Sequence, residues 1–345
     1  MSEAARKSKP YFPGVQCLRG VASLLVVFYH CGLLLAKKKY FSFEILGGAT
    51  GFGYRGVDMF FVISGFVMGL YVFDSSRNKS GARFAEARAR RIFIPYLPVF
   101  LVMTAAASAM PSLFPEAYRS ADYSVIRNLL IFPRANLDTF VPVVAWSLAH
   151  ELFFYLMVGV LLYVPFGKHV FALWLTLSGV AFFSGVALDY PWSFLFSRYN
   201  LAFGLGLLSF YAVQRWRGEY RAAAIAVGLA GLALAMALEA RAGMGKPGLA
   251  IDASYFVSFA IVITAFAKSN LRLLEVVGKI SYSLYLVHYP LLVVCVIVYL
   301  KLFGSALPVV AFGFAIGVSL VAGFVYYWLI EARAMSLRFG KSTAS

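Results

Sequence analysis

Apolar stretches close to 20 residues recur along this chain from one end to the other. A run of about 20 apolar residues is what a helix needs to cross the hydrocarbon of a bilayer. No other feature constrains the fold as strongly. Ten such spans are expected, with approximate cores at 15–36, 52–73, 92–110, 140–164, 170–188, 192–213, 222–239, 249–267, 281–300 and 306–330. Composition agrees: 61% of the 345 residues are hydrophobic and 13% charged, against about 45–50% and about 25% in soluble domains. The expected fold is all-α and polytopic. One membrane domain, 15–330, lies between short tails, 1–14 and 331–345.

The formal net charge is +16. In a soluble protein that excess would suggest nucleic acid; here the basic residues fall in alternate loops, which is a topology signal. The N-terminal tail, the loops after even-numbered spans and the C-terminus hold 19 of the 31 Lys and Arg. Both termini are therefore expected on the cytoplasmic side, in the inner membrane. The Lys37-Lys38-Lys39 cluster opposes this locally. Arg6, Lys7 and Lys9 precede a run too long for a signal peptide, so the first span is expected to stay uncleaved. The turn Asp189-Tyr190-Pro191 separates the fifth and sixth spans. Residues 122–133 have the pattern of a short amphipathic helix, lying in the interface or capping a site. Gly313 and Gly317 form a GxxxG pattern suited to helix packing. Cys17, Cys31 and Cys295 read as small apolar fillers. No metal-ligand spacing and no internal repeat is present, and the latter weighs against repeat-built transporters.

Ionisable residues inside spans are costly and usually functional. Arg19 and His30 both lie in the first span. Eleven residues are close to three turns, so they share a face, about 16 Å apart along the axis. His30 fits a catalytic base or a hydrogen bond to a neighbouring helix. Asp58 lies in the second span, three residues after Arg55, and fits either a functional acid or a buried ion pair. Glu151, in the fourth span, falls near mid-membrane, where it needs a partner such as a histidine. His150 points about 100° away from it. Ser281, Tyr285 and His288 share a face of the ninth span, just before Pro290. They form either a polar seam or a substrate wall. Arg88 and Arg91 share a face of a cytoplasmic loop running from Arg88 to Tyr96. They fit positive-inside bias or, with Arg90, phosphate recognition.

Five motifs in order resemble the acyltransferase-3 family of membrane acyltransferases. They are Arg19 with His30; the run Gly56 to Phe66 with Asp58 and Ser64; Arg88 to Tyr96; Trp146-Ser147-Leu148 to Glu151 and Tyr155; and Ser281 to His288. The second and fourth are most similar to the exopolysaccharide O-acetyltransferase branch. The resemblance implies acyl-CoA, usually acetyl-CoA, as donor and a glycan or glycolipid hydroxyl as acceptor. It also implies that His30 is essential, that Arg19 belongs with it, and that the arginines near Arg88 and Arg91 matter. No hydrolase-like domain follows the spans, so the membrane domain is expected to act alone.

The expected mechanism follows. Arg88, Arg90 and Arg91 hold the nucleotide end of the donor, whose arm passes Arg19. His30 is general base, oriented by Glu151 or Asp58. Trp146, Ser64, Tyr285 and His288 are assigned to substrate binding. Membrane lipid is the surrounding partner, and the sequence leaves the oligomeric state open. A proton-coupled saccharide exporter or flippase is the rival from another class, and succinyl transfer is the rival within the enzyme class.

Overall fold

The computed structural model describes residues 11–74, 80–111, 118, 123–246, 248–269 and 271–333. Arg6, Lys7, Lys9, Arg77, Lys79, Asp122 and residues 334–345, on which part of the topology reading rests, lie outside them. Among the described residues twelve α-helices follow in order: α1 Pro13–Ala36, α2 Gly56–Val72, α3 Gly81–Ala109, α4 Val125–Leu129, α5 Trp146–Tyr163, α6 Gly167–Ser184, α7 Trp192–Leu195, α8 Tyr199–Arg215, α9 Arg221–Ala242, α10 Leu249–Phe266, α11 Arg272–Phe303 and α12 Pro308–Tyr326. No strand occurs among the described residues. The fold is an all-α polytopic membrane bundle.

Ten of these helices are long and occupy the ten expected positions. Among the described residues, eight stretches are long and apolar enough to cross a membrane. The two helices outside that set are α6, with 18 residues opening on Lys168 and His169, and α8, with 17. The sixth span does not start at 192 as expected. Residues 192–195 form the separate turn α7, and α8 begins at Tyr199. The second span is also composite. A 3-10 helix, Ile45–Arg55, leads into α2. Its glycines allow a close approach: a Cβ added at Gly53 would lie 2.2 Å from the carbonyl oxygen of Leu25 on α1.

Arg88 to Tyr96 is helix, not loop. α3 starts at Gly81, where the Ser80 side chain accepts from the Arg83 N–H, a capping bond that satisfies an otherwise unpaired helix donor. At 29 residues the helix is about 44 Å long, well beyond the roughly 30 Å of a hydrocarbon core. Its arginine-bearing turns therefore carry the spiral of side chains on into the bundle.

α1 packs along α11, α2 along α8, α9 along α10 and α11 along α12. Glycine pairs set the first two contacts. A Cβ on Gly278 of α11 would lie 1.9 Å from the carbonyl oxygen of Gln16, and one on Gly20 would lie 2.7 Å from that of Leu274. Gly65 of α2 and Gly206 of α8 face each other in the same way, and a Cβ added to either would lie 2.0 Å from a backbone oxygen of the other helix. Small residues let helix backbones meet where no hydrophobic force drives helices together. The expected packing role of Gly313 and Gly317 is not seen: a Cβ on either would meet nothing within 4 Å. Their face of α12 is turned outward.

Among the described residues of the amphipathic stretch, Val125–Leu129 is helical. Val125, Ile126 and Leu129 are exposed, while Asn128 is buried. Asn128 holds the loop together: its Nδ2 donates to the Ser124 and Thr139 carbonyls, and its Oδ1 accepts from Val141 N–H at 2.8 Å. The apolar residues point away from the bundle, which fits the interfacial option.

Candidate active site

Helix α1 carries Arg19 near its start and His30 nearer its end, so one helix joins two regions of the bundle core. At the Arg19 end is a cavity of about 60 Å³, room for a few waters. Arg19 from α1, Ser64 from α2 and Arg91 from α3 contribute polar groups to its wall. Ser147, Glu151 and Tyr155 from α5, with Ser281, Tyr282 and Tyr285 from α11, complete the polar lining, among apolar residues such as Phe60 and Val67. The Oγ of Ser281 is buried without a hydrogen-bond partner.

The carboxylate of Glu151 is held inside this cavity. Ser64 Oγ donates to Oε1 at 3.0 Å, and Tyr155 Oη donates to the same oxygen. The guanidiniums are held less firmly. Arg19 donates to Gln16 Oε1 at 3.4 Å. Neither Arg19 nor Arg91 is in an ion pair among the described residues. Glu331, on the π-helical turn Tyr327–Glu331, is buried on the same side and accepts from Ser283 Oγ at 2.6 Å. Two guanidiniums facing one polar cavity make a site for an anion, since Arg presents a planar fork of donors to phosphate or carboxylate oxygens.

The three arginines of α3 diverge. Arg91 lines the cavity. Arg88 does not; it donates to Tyr71 Oη at 2.8 Å and stacks over Tyr71 and Tyr155. Arg90 forms an i,i+4 pair with Glu86 at 3.5 Å. The spacing put Arg88 and Arg91 on one face, and the two remain near Tyr155, but only Arg91 faces the void.

Beyond the cavity lies a pair of imidazoles. His288 Nε2 stands 3.0 Å from His30 Nδ1. His288 Nδ1 is 3.1 Å from the Leu284 carbonyl oxygen and 2.8 Å from that of Tyr285. Carbonyls only accept, so this Nδ1 carries hydrogen. A neutral His288 then offers a lone pair at Nε2, and His30 Nδ1–H donates to it. In that tautomer the lone pair of His30 is on Nε2. The group in contact with the His30 ring is therefore a histidine, whereas Glu151 is bonded to Ser64 and Tyr155 and Asp58 to Arg55.

Tyr285 connects the two regions. It lines the cavity, its ring is 5.8 Å from that of His288, and its Oη is 2.8 Å from Ser147 Oγ. His30 and His288 themselves stay outside the cavity wall. The ring of His30 is bracketed by Tyr29 and Tyr289, with centroids 5.0 and 5.2 Å away.

Asp58 belongs to a separate buried cluster. Arg55 Nη1 lies 2.9 Å from Asp58 Oδ2 and 2.6 Å from Asp252 Oδ1, and Nη2 lies 3.1 Å from Glu239 Oε1. Arg198 pairs with the other oxygen of Asp252. Tyr54 and Tyr255 donate to Glu239. Arg55 thus neutralises Asp58, as the i,i+3 spacing implies, but it also ties α2 to α9 and α10. Glu239 and Asp252 were not among the sequence-derived candidates, nor was Glu331. All three are acids within or at the edge of apolar runs, and that is the signal that marks them.

Trp146 does not face the cavity. With Phe61, Phe194 and Tyr199 it surrounds the ring of His150, at centroid distances from 4.5 to 6.1 Å. His150 Nδ1 is buried without a partner.

An imidazole pair and an arginine-lined cavity in the core of a multi-pass helical bundle define a polar site inside a membrane protein. Its sequence matches the acyltransferase-3 pattern, the acyltransferase domain, over residues 12–328, and the chain belongs to that family. It is similar to the exopolysaccharide production protein ExoZ of Rhizobium meliloti (strain 1021), 34% identical over 119 residues. That match covers 33% of this chain and 35% of the relative. No solved structure matches.

Proposed function

We propose that this chain is an O-acyltransferase that moves an acyl group, acetyl first, from acyl-CoA to a hydroxyl of an exopolysaccharide or related glycan in the inner membrane. Membership of the acyltransferase family and likeness to an exopolysaccharide production protein support the reaction class and the acceptor class. The observation that carries the reading is the His30–His288 pair at 3.0 Å, beside a cavity lined by Arg19 and Arg91, neither in an ion pair among the described residues.

In this reading both termini are cytoplasmic and the Arg19 end of the bundle faces inward. Arg91 and Arg19 draw in the charged donor. Arg88 and Arg90 flank the entrance. The thioester arm passes Ser64 and Tyr282 towards Tyr285. His30 Nε2 takes the proton of the acceptor hydroxyl, whose oxygen attacks the thioester carbon. The C–S bond breaks, and the proton passes to the CoA thiolate. His288 holds the ring and shares its positive charge. Glu151 keeps the donor channel polar, and Tyr285 lines the approach of the sugar.

Purified protein, labelled acetyl-CoA and polysaccharide in detergent test this, because no gradient can form. Label on the sugar, lost in His30→Ala, is the expected result. Gradient-dependent sugar transport in vesicles without acyl transfer would overturn it in favour of an exporter. Preferential use of succinyl-CoA in competition would replace acetyl by succinyl.

A further inference from the structure

α8 and α9 both pack on α10. Between them, over α10, runs an open groove of about 400 Å³. Its wall is apolar: Leu205 and Leu208 from α8, Ala224 from α9 and Ile261 from α10, with Thr264 and Trp216 at one end. It lies away from the arginine-lined cavity and shares no residue with it. From Leu205 to Trp216 is eleven residues, about 16 Å along the helix. One leaflet of hydrocarbon is about 15 Å deep, half of the core thickness. The groove therefore runs the depth of a single leaflet.

The Trp216 end is basic. Arg215 and Arg217 flank Trp216, Arg221 precedes Ala224 by one turn of α9, and Lys268 follows Thr264 by one turn beyond α10. All four are exposed. Glu219, also exposed, is the one acid in the 214–221 segment. Arg215 lies over the Tyr211 ring at 3.7 Å, and Arg221 donates to Ser269 Oγ. These two are fixed in place, whereas Arg217 and Lys268 extend from loop backbone. Tryptophan at the polar boundary is the usual anchor of a membrane interface. A basic rim at that depth draws anionic headgroups.

We propose that this groove is a binding site for one anionic glycerophospholipid, its acyl chain lying along Leu205 to Ile261 and its phosphate at Arg215, Arg217 and Lys268. Ordinary positive-inside bias accounts for basic loops, but not for a leaflet-deep apolar channel that opens between them. The site ties α8, α9 and α10 together at the end remote from the Arg55 cluster.

Native mass spectrometry of delipidated protein tests this, titrating phosphatidylglycerol against phosphatidylcholine. Three proteins are compared: the unaltered chain, the Arg215→Gln/Arg217→Gln/Lys268→Gln variant, and Leu208→Trp, which fills the groove. The charge variant alters exposed side chains only, so it remains folded and keeps the test decisive. The unaltered chain is expected to prefer phosphatidylglycerol, with a gain in thermal midpoint. The charge variant is expected to lose at least about tenfold of that preference, and Leu208→Trp to lose retention of either lipid at this site. Equal binding of the two lipids by the unaltered chain, or a preference unchanged in both variants, would overturn the proposal.

Discussion

His288 Nε2 lies 3.0 Å from His30 Nδ1, although 258 residues separate them in the chain. The contact exists because α1 and α11 meet through glycine at Gly20 and Gly278. It also sets the direction of the hydrogen bond, since His288 Nδ1 faces only carbonyl oxygens. The His30 ring is thereby held without a carboxylate, and the proposed reaction predicts particular outcomes.

His30→Ala should reduce acyl transfer by roughly 10²–10⁴-fold, the range typical of losing a general base. His288→Phe keeps the ring volume but removes the acceptor, and should cost about 10–100-fold in kcat with little change in KM. Assays with labelled donor on purified protein check both. Equal activity of His288→Phe and the unaltered enzyme would remove the orienting role.

Arg91→Ala and Arg19→Ala should each weaken the donor by about 10–100-fold in KM, which corresponds to the roughly 1.5–3 kcal/mol of a hydrogen bond to a charged group. Lysine at Arg91 should restore only part, because the planar fork is lost. Arg90→Ala should change little, since that side chain turns to Glu86. Donor titrations separate these cases.

Removing one member of the buried Arg55 cluster strands the others. Glu239→Gln keeps the shape but takes away a charge from Arg55, and Arg55→Met leaves Asp58 without its partner. Breaking a buried pair costs about 3–5 kcal/mol, so Arg55→Met should show a markedly lower unfolding midpoint in detergent, and Glu239→Gln a smaller drop. Thermal denaturation followed by size-exclusion chromatography measures this.

Gly278→Val should prevent α1 from seating on α11. Overpacking usually costs about 1–3 kcal/mol, and here the added atom meets a backbone oxygen, which cannot move aside. Misfolded or unstable protein is expected. Gly313→Val, facing open space, is the matched control and should express normally. Fluorescence-detected chromatography of both variants provides the comparison.

Much of this molecule is legible in one dimension. Run length marks the long helices, because each must supply about 20 apolar residues in sequence. The face shared by Arg19 and His30 follows from helix periodicity, and so does the Arg55–Asp58 pair, which is an i,i+3 contact. Ser64 with Glu151 and Tyr285 with Ser147 are not legible in this way. They join helices whose relative rotation no local pattern specifies. The displaced start of α8 and the outward face of Gly313 and Gly317 belong to the same category.

Local chemistry along the chain was enough to establish a helical membrane bundle with ionisable groups at chosen depths, since hydrophobic length and the period of 3.6 residues act within a single helix. Partner choice was settled only by packing. Which acid neutralises Arg55, which ring orients His30 and which of three arginines faces the cavity all depend on how closely neighbouring backbones approach. That distance is governed by glycines far apart in the chain. A buried charge accepts whichever opposite group the assembled bundle brings within reach, and so its partner is a property of the fold.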